Sequence, residues 1–484
     1  MSSQRQTQSK ILCTLGPASS SLEMIRNLRN AGMDCVRINF SHGTKDDKQG
    51  LVDRIKEADP TLAILCDIQG PKLRIGEVGE GGVILERGNR LVLTTDEVMG
   101  NEERVSISYK ELPNEVQVGE LIFINDGIIC LEVFEVQGSE IRCEILTGGA
   151  ISSRKGMNLP STKIALKVPT PKDVEDLKLI AELNPAYVAA SFVGEASDVN
   201  TIRHILQSHG NFTTRIIAKI ERPVAVDNFN KIIQVADGIM VARGDLGVEL
   251  KPEEVPFVQK EMIKQCNWLG KPVIVATQML ESMIKAPVPT RAEVSDVYNA
   301  IGDGADCVML SAETASGDHP IEAVKVMRRI IHNSEAHLPL RNPDFYNAHS
   351  HAMPEVLGHL VHDACLQLKS QGYGQGKILC LTKSGFTARM ISKYRPSMPI
   401  IAVTHEERSF LEMSILWGVR PLLLVGLEKL GRTRERIHAV VEECLRLGWL
   451  DEKETVIMVG DFFDLGRSAN QISLFQPQEL LNRQ

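Results

Sequence analysis

The chain has 484 residues, 43% of them hydrophobic, with a formal net charge of -8 and a mean hydropathy of -0.07. That length exceeds one ordinary hydrophobic core, so roughly two to four domains are expected. The acidic balance argues against general nucleic-acid binding, and every apolar run is too short to span a membrane. The opening MSSQRQTQSK is polar and leads into a strand pattern, so no signal peptide is expected. Ten cysteines lack any CxxC pair and have mostly apolar neighbours, as at Cys13, Cys35, Cys66 and Cys307. They read as reduced core thiols of a cytoplasmic protein.

Strand-like runs occur at Ile11–Leu15, Cys35–Phe40 and Leu62–Cys66, then at Tyr187–Phe192, Ile216–Ile220, Gly238–Ala242, Pro272–Ala276 and Cys307–Leu310. Helical periodicity separates them, for example over Ser20–Ala31, Pro171–Leu183 and Pro256–Leu269. Eight strands alternating with helices is the pattern of a (β/α)₈ TIM barrel, assigned here to residues 1–70 and 169–340. Residues 71–168 have another texture, with Gly and alternating Val, Ile and Leu. Asp126-Gly127 lies between two apolar runs, a tight-turn signal. This segment is expected to be an inserted β-barrel-like B domain, able to act as a lid. Residues 341–484 read as a separate C-terminal α/β domain with mainly parallel strands, after a polar linker at Pro343–Pro354.

The polar residues of the barrel strands share the C-terminal ends, the face where such barrels carry their sites. They include Arg37, Asn39, Ser41 and His42 after strand two, Asp67 after strand three, and Lys72 and Arg74 just beyond. Lys219 and Glu221 end strand five, Asp245 follows strand six, Thr277 strand seven, and Ser311 and Glu313 strand eight. Charged groups at the mouths of buried strands are costly unless they hold a metal or each other. Two carboxylates with a lysine suit a hard divalent cation beside an anionic substrate, and the implied chemistry is phosphoryl transfer. Each residue also has a plainer reading. Arg37 could pair with a barrel carboxylate, Asp67 could cap a strand end, and Glu221 could pair with Arg222 at the surface. Thr277 could be a β-branched core residue and His42 structural. Thr290 to Glu293 fits a capping box.

The runs Arg37–Gly43, Asp67–Lys72, Ala218–Glu221, Met240–Gly247, Ala276–Met283 and Pro289–Glu293 resemble the pyruvate kinase family, over essentially the whole chain and in the family's order. The resemblance implies phosphate transfer from phosphoenolpyruvate to ADP, giving pyruvate and ATP. It implies that Glu221 and Asp245 hold Mg²⁺ or Mn²⁺, that Lys219 stabilises the phosphoryl group, and that Gly244, Asp245 and Thr277 contact substrate, with Thr277 beside the enolate face. Ser311 and Glu313 would join a proton relay. Arg37 and Arg74 would bind phosphates, and Asn39, Phe40, Ser41, His42 and Lys155 would meet the nucleotide. A cytoplasmic homotetramer is the family expectation, and this chain is expected to lack the extra N-terminal segment of the animal enzymes.

In potassium-dependent members of the family a glutamate stands at position 72, and Thr and Lys stand at 68 and 69. Here Lys72 is expected to supply the monovalent charge near Asp67, at a site of Asn39, Ser41, Asp67 and the Ile68 carbonyl, so that K⁺ is not required. The turn of Thr382, Lys383, Ser384, Gly385 and Thr387 can cradle one phosphate at a helix N-terminus. In this family that is the effector place. Asp461 and Asp464, with Arg467 only partly offsetting them, disfavour a second phosphate. A sugar monophosphate or AMP is therefore expected as effector, rather than fructose 1,6-bisphosphate. Two alternatives remain: a barrel lyase or aldolase without ADP dependence, and a non-catalytic metabolite sensor.

Overall fold

The computed structural model describes residues 7–162, 164, 166–338, 353–373, 376–431, 433–460 and 471–481. Eight parallel strands close into a barrel: β1 (Lys10–Leu15), β2 (Cys35–Asn39), β3 (Ala63–Asp67), β4 (Tyr187–Ala190), β5 (Arg215–Ile220), β6 (Gly238–Ala242), β7 (Val273–Ala276) and β8 (Cys307–Leu310). Each strand pairs with its sequence neighbours, and β8 closes on β1 with Lys10 opposite Cys307. All eight expected strands are present, with ends shifted by one or two residues.

Strand alternation sorts the side chains into two cores. Leu12, Cys35, Leu65, Ala189, Ile217, Met240, Ile274 and Met309 form the inner cluster. Ile11, Cys13, Val36, Ile64, Val188, Ile216 and Ala218 join the larger cluster beneath the helices. Continuing that alternation carries Arg37, Asp67, Ser191 and Lys219 to the inward face at the C-terminal rim.

The surrounding helices start where capping chemistry is available. Thr44 with Asp47, Thr170 with Asp173 and Thr290 with Glu293 all form capping boxes. Asp173 also reaches the barrel exit, where its Oδ1 accepts the Gly70 N–H at 3.0 Å. Gly70 has φ +68°, and a Cβ there would stand 2.8 Å from the Phe192 ring. This pins the backbone where the chain leaves the barrel after β3.

Between β3 and β4 lies a six-stranded sheet with a core of its own, including Leu91, Leu93, Ile122, Ile124, Leu131 and Ile145. The expected hairpin joins Leu121–Ile124 to Ile129–Gln137 through Asn125, Asp126 and Gly127, all at positive φ. The inserted sheet rests against the short helix after β6, where Asn158 Nδ2 donates to Glu249 Oε1 at 2.8 Å.

The C-terminal sheet comprises β9 (Lys377–Leu381), β10 (Ile400–Thr404), β11 (Val419–Leu423), β12 (Val456–Gly460) and β13 (Gln471–Phe475), in the order β11-β10-β9-β12-β13. Only β13 runs antiparallel to its neighbour. This part docks on the N-terminal end of the barrel. Arg408 donates to the carbonyls of Pro185 at 2.6 Å, Ala186 at 2.8 Å and Thr213 at 2.7 Å. Lys10 Nζ donates to Val419 O at 2.7 Å, and Ile415 packs into the inner barrel cluster. Most of the linker expected at Pro343–Pro354, and the acidic loop with Asp461, Asp464 and Arg467, lie outside the described residues.

Candidate active site at the C-terminal rim of the barrel

Lys219 is the centre of the rim. Its ammonium lies 2.9 Å from Glu221 Oε1, 3.3 Å from Asp67 Oδ1 and 2.6 Å from Ser191 Oγ. Burial opposes its charge, but Asp67 and then Glu221 more than compensate, and the ammonium is held above its ordinary range. Asp67 is buried, with Arg37 Nε 2.7 Å from its Oδ2. Burial alone would raise its carboxyl; Lys219 and Arg37 together bring it below the usual carboxylate range. Arg37 thus takes the plainer reading as well, a pair with a barrel carboxylate, and Thr14 Oγ1 accepts its Nη1 at 3.1 Å.

Glu221 is buried and not a surface partner of Arg222. Its Oε2 accepts the Phe192 N–H at 2.7 Å. Burial pushes its carboxyl up, Lys219 opposes this, and the negative charge of Asp245 adds to it. Glu221, just past β5, and Asp245, in the first turn of the short helix after β6, repel each other inside a rim lined with ammonium groups and make a hard-oxygen donor pair.

Lys72 does not sit where the sequence pattern puts it. Its Nζ lies 2.9 Å from Asp245 Oδ1, while the oxygens of Asp67 are taken by Arg37, Lys219 and Ser191. The cause is the path of the chain. The first residues of the insertion swing across the rim, and Gly156, whose Cβ would stand 3.0 Å from Lys72 Cε, leaves room for the side chain.

Thr277 has φ +68°, an outlier for a β-branched residue. Its Oγ1 accepts the Gly244 N–H at 2.6 Å and donates to Ala276 O at 2.6 Å. Arg243 Nη2 donates to Thr277 O at 2.8 Å while Nη1 lies 2.7 Å from Asp296. The strain is therefore held by a guanidinium that the sequence pattern does not single out. Thr277 is not an ordinary core threonine. Glu313, buried, accepts the Leu280 N–H at 3.1 Å and the Ser311 N–H at 2.7 Å, and burial raises its carboxyl. Among the described residues Ser311 Oγ is buried without a partner.

Other candidates lie apart from this cluster. Arg74 sits in the insertion, bridged to Gly156, with Nη1 donating to Arg154 O at 2.9 Å. Lys155 pairs there through its backbone, its carbonyl accepting Ile75 N–H at 2.9 Å. His42 is exposed. The Asn39 Oδ1 accepts the Ser41 N–H at 3.1 Å, Phe40 is buried, and Ile68 N–H donates to Ala189 O at 3.1 Å. Asn39 lies opposite Asp67 in the strand register, and among the described residues the hydrogen-bond partners of the Asp67 carboxylate are Arg37, Ser191 and Lys219.

Sequence reasoning missed Thr14, Ser191, Phe192 and Arg243, and also Lys48 and Lys172. Lys48 Nζ donates to Asn39 O at 2.5 Å, and Lys172 Nζ to Phe40 O at 2.9 Å. The available signal was positional: Thr14 and Ser191 close inward-facing strand ends, as the chosen residues do.

The family model "Pyruvate kinase, barrel domain" matches residues 6–324, and "Pyruvate kinase, alpha/beta domain" matches residues 363–474. Among curated proteins, "Pyruvate kinase" of Staphylococcus aureus strain MRSA252 is 45% identical over 427 residues, covering 87% of this chain and 72% of the relative. The proteins of the same name from strains USA300 and NCTC 8325 / PS 47 match to the same extent. With a barrel whose rim carries the lysine, carboxylates and threonine described above, and with this similarity across both matched regions, the chain belongs to the pyruvate kinase family.

Proposed function

We propose that the protein transfers the phosphoryl group of phosphoenolpyruvate to ADP, giving pyruvate and ATP, as a cytoplasmic homotetramer of the family type. The observation that carries this is the buried Lys219 held by Asp67, Glu221 and Ser191 beside Asp245 and the strained Thr277. All ten cysteines are free thiols, nine of them buried, which suits a reducing compartment. Among the described residues no helix is long and apolar enough to cross a membrane. The three-part division into residues 1–70 with 169–340, 71–168 and 341–484 is part of the same reading.

Glu221 and Asp245 fit a hard divalent cation, Mg²⁺ or Mn²⁺, because they are paired hard-oxygen donors whose mutual repulsion a cation relieves. Such an ion, when bound, supplies charge neutralisation for the phosphate and enolate oxygens. The chain's own groups do the rest. Lys219 presents a fixed ammonium to the migrating phosphoryl group, preorganised by Asp67 and Ser191 so that no reorganisation is needed at the moment of transfer. Arg37 binds phosphate, and Gly244 and Thr277 position the substrate. Thr277, with Ser311 and Glu313, borders the face where the enolate takes its proton. Arg74, Lys155 and the Asn39–His42 turn meet the nucleotide as the insertion moves over the rim. A coupled pyruvate assay tests this: product formation is expected to need both ADP and Mg²⁺ and to stop on chelation. Turnover without ADP would instead support the lyase or aldolase reading.

Activity without K⁺ is the second part. Its support is Lys72, which carries a single fixed positive charge into the rim at Asp245. Rates in Na⁺, K⁺ and tetramethylammonium are expected to agree within about two-fold, less than the tenfold that 1.4 kcal/mol would give. Lys72→Glu is expected to lower the rate without K⁺ and to recover part of it with K⁺. Large K⁺ activation of the parent enzyme would sink the idea.

The third part is regulation by a monophosphate, a sugar monophosphate or AMP, at Thr382, Lys383, Ser384, Gly385 and Thr387. Gly385, at φ +74°, is the N-cap of the helix Phe386–Lys393, which has no side-chain cap, and Lys383 and Ser384 are exposed beside it. Titrating each candidate against the phosphoenolpyruvate saturation curve decides the effector, and strong activation by fructose 1,6-bisphosphate alone would overturn the monophosphate choice.

A further inference from the structure

A cavity of about 740 Å³ lies between the helices Leu22–Ala31 and Pro320–His337, at the N-terminal end of the barrel and away from the catalytic rim. In a protein of net charge -8 its lining is basic: Arg29, Lys325, Arg328, Arg329 and His332 against one carboxylate, Asp34, with Lys325 itself paired to Glu322 at 2.7 Å beside the cavity. We propose that this cavity binds a small phosphorylated metabolite, with the phosphate monoester on Arg329 and His332 and the hydroxyl-bearing remainder toward Thr7 and Asp34.

Three observations support this. Arg29 and Arg328 are spoken for: Arg29 lies 3.0 Å from Asp59 and donates to Met33 O at 2.8 Å, and Arg328 donates to Gly32 O at 3.0 Å. Both cover the carbonyl end of the first helix, which would otherwise repel an anion. Arg328 can do so because Gly32, at φ +126°, has no Cβ; one there would stand 2.5 Å from Arg328 Cδ. Arg329 and His332, one turn apart on exposed helix surface, make no ion pair or hydrogen bond among the described residues and are free to take a ligand. Thr7 supplies an independent sign. It is 4% exposed, lines the cavity, and its Oγ1 is a buried hydroxyl without a partner among the described residues. A buried orphan hydroxyl costs free energy unless something in the cavity bonds to it.

Asp34 Oδ2 already accepts the Ile11 N–H at 2.9 Å, which leaves Oδ1 for a ligand hydroxyl. The volume suits a mononucleotide or a phosphosugar, whereas inorganic phosphate would leave most of it empty.

Calorimetric titration of the full-length enzyme with inorganic phosphate, AMP and glucose 6-phosphate tests this. A monoester is expected to bind more tightly than inorganic phosphate, with affinity falling as salt rises. Arg329→Glu and His332→Ala, both exposed changes, are each expected to weaken it at least about ten-fold, equivalent to one fixed charge contact. The double variant Lys383→Ala with Ser384→Ala is expected to leave this binding unchanged, which separates it from the C-terminal site. Basal turnover of phosphoenolpyruvate and ADP is expected to stay at the parent value in Arg329→Glu, so failure here is distinguishable from failure of the catalytic reading. Unchanged affinity in both cavity variants, loss of all binding in the Lys383/Ser384 variant, equal binding of inorganic phosphate, or no binding of any probe would each overturn the proposal.

Discussion

Replacing Lys219 by methionine is expected to lower kcat for phosphoryl transfer by about 10²–10³-fold, the usual effect of removing one preorganised donor from developing charge. The geometry makes the loss specific to the transition state. The ammonium is fixed by Asp67 at 3.3 Å, Glu221 at 2.9 Å and Ser191 at 2.6 Å before any substrate arrives. Phosphoenolpyruvate binding rests largely on Arg37 and the Thr277 turn in this reading, so the KM is expected to move much less than kcat. The barrel is expected to stay folded, because Asp67 keeps Arg37 at 2.7 Å and Glu221 keeps the Phe192 N–H at 2.7 Å. Removing one member of a buried ion cluster still costs up to about 3–5 kcal/mol, so circular dichroism and the melting midpoint should accompany the assay. Lys219→Arg retains charge, but its planar fork cannot reproduce the compact ammonium among three acceptors; it is expected to recover the melting midpoint more fully than the rate. A folded methionine variant within about ten-fold of the parent would remove Lys219 from the role given to it.

The barrel was legible because its strands obey a strict physical pattern. A strand buried on both faces reads as a continuous apolar run, and a polar residue closing such a run stands out, as Asp67 and Lys219 do. Alternation then tells which residues share the inner face, which is why Arg37, Asp67 and Lys219 group together from the sequence alone. What alternation cannot give is lateral distance or rotamer. Lys72 was expected at Asp67 and meets Asp245, because the path of the inserted segment decides which carboxylate the flexible side chain reaches. Arg74 was grouped with the rim but turns into the insertion, where the Arg154 carbonyl holds it. The positive φ of Thr277 is equally invisible in sequence, since it is held by Gly244 and Arg243 from the preceding strand end rather than by local propensity. Ser191 and Thr14 share the inward-facing strand-end position, but a lone hydroxyl there carries no charge to mark it until its neighbours are known.

Replacing Arg395 by methionine is expected to loosen the C-terminal sheet from the barrel, at a cost of about 3–5 kcal/mol, the range for breaking one side of a buried ion pair. Arg395 is 6% exposed, just past the helix Phe386–Lys393, and its Nη1 lies 2.8 Å from Asp306 Oδ1. Nη2 donates to Asn267 Oδ1 at 2.5 Å and to Gly304 O at 2.9 Å, and the guanidinium lies 5.0 Å from the centre of the Trp417 ring. Asp306 in turn accepts the Val273 N–H at 3.0 Å and the Trp417 N–H at 3.2 Å, so one carboxylate ties the entry of β7 to the C-terminal part. Methionine fills the aliphatic volume but leaves Asp306 without its cation. Calorimetry is expected to show one transition in the parent and two separated transitions in the variant, as the sheet and barrel cease to unfold together. Adding Asp306→Asn removes the uncompensated charge and is expected to return part of the loss, the non-additivity that marks a direct pair. The same helix begins at the Gly385 turn proposed to hold the effector phosphate, so Arg395 also ties the far end of that helix to the barrel. Activation by the effector is therefore expected to fall in Arg395→Met even where the effector still binds, since coupling energies of this kind amount to only about 1–3 kcal/mol. A variant that melts in one transition at the parent midpoint and keeps full activation would show that the contact carries neither stability nor communication.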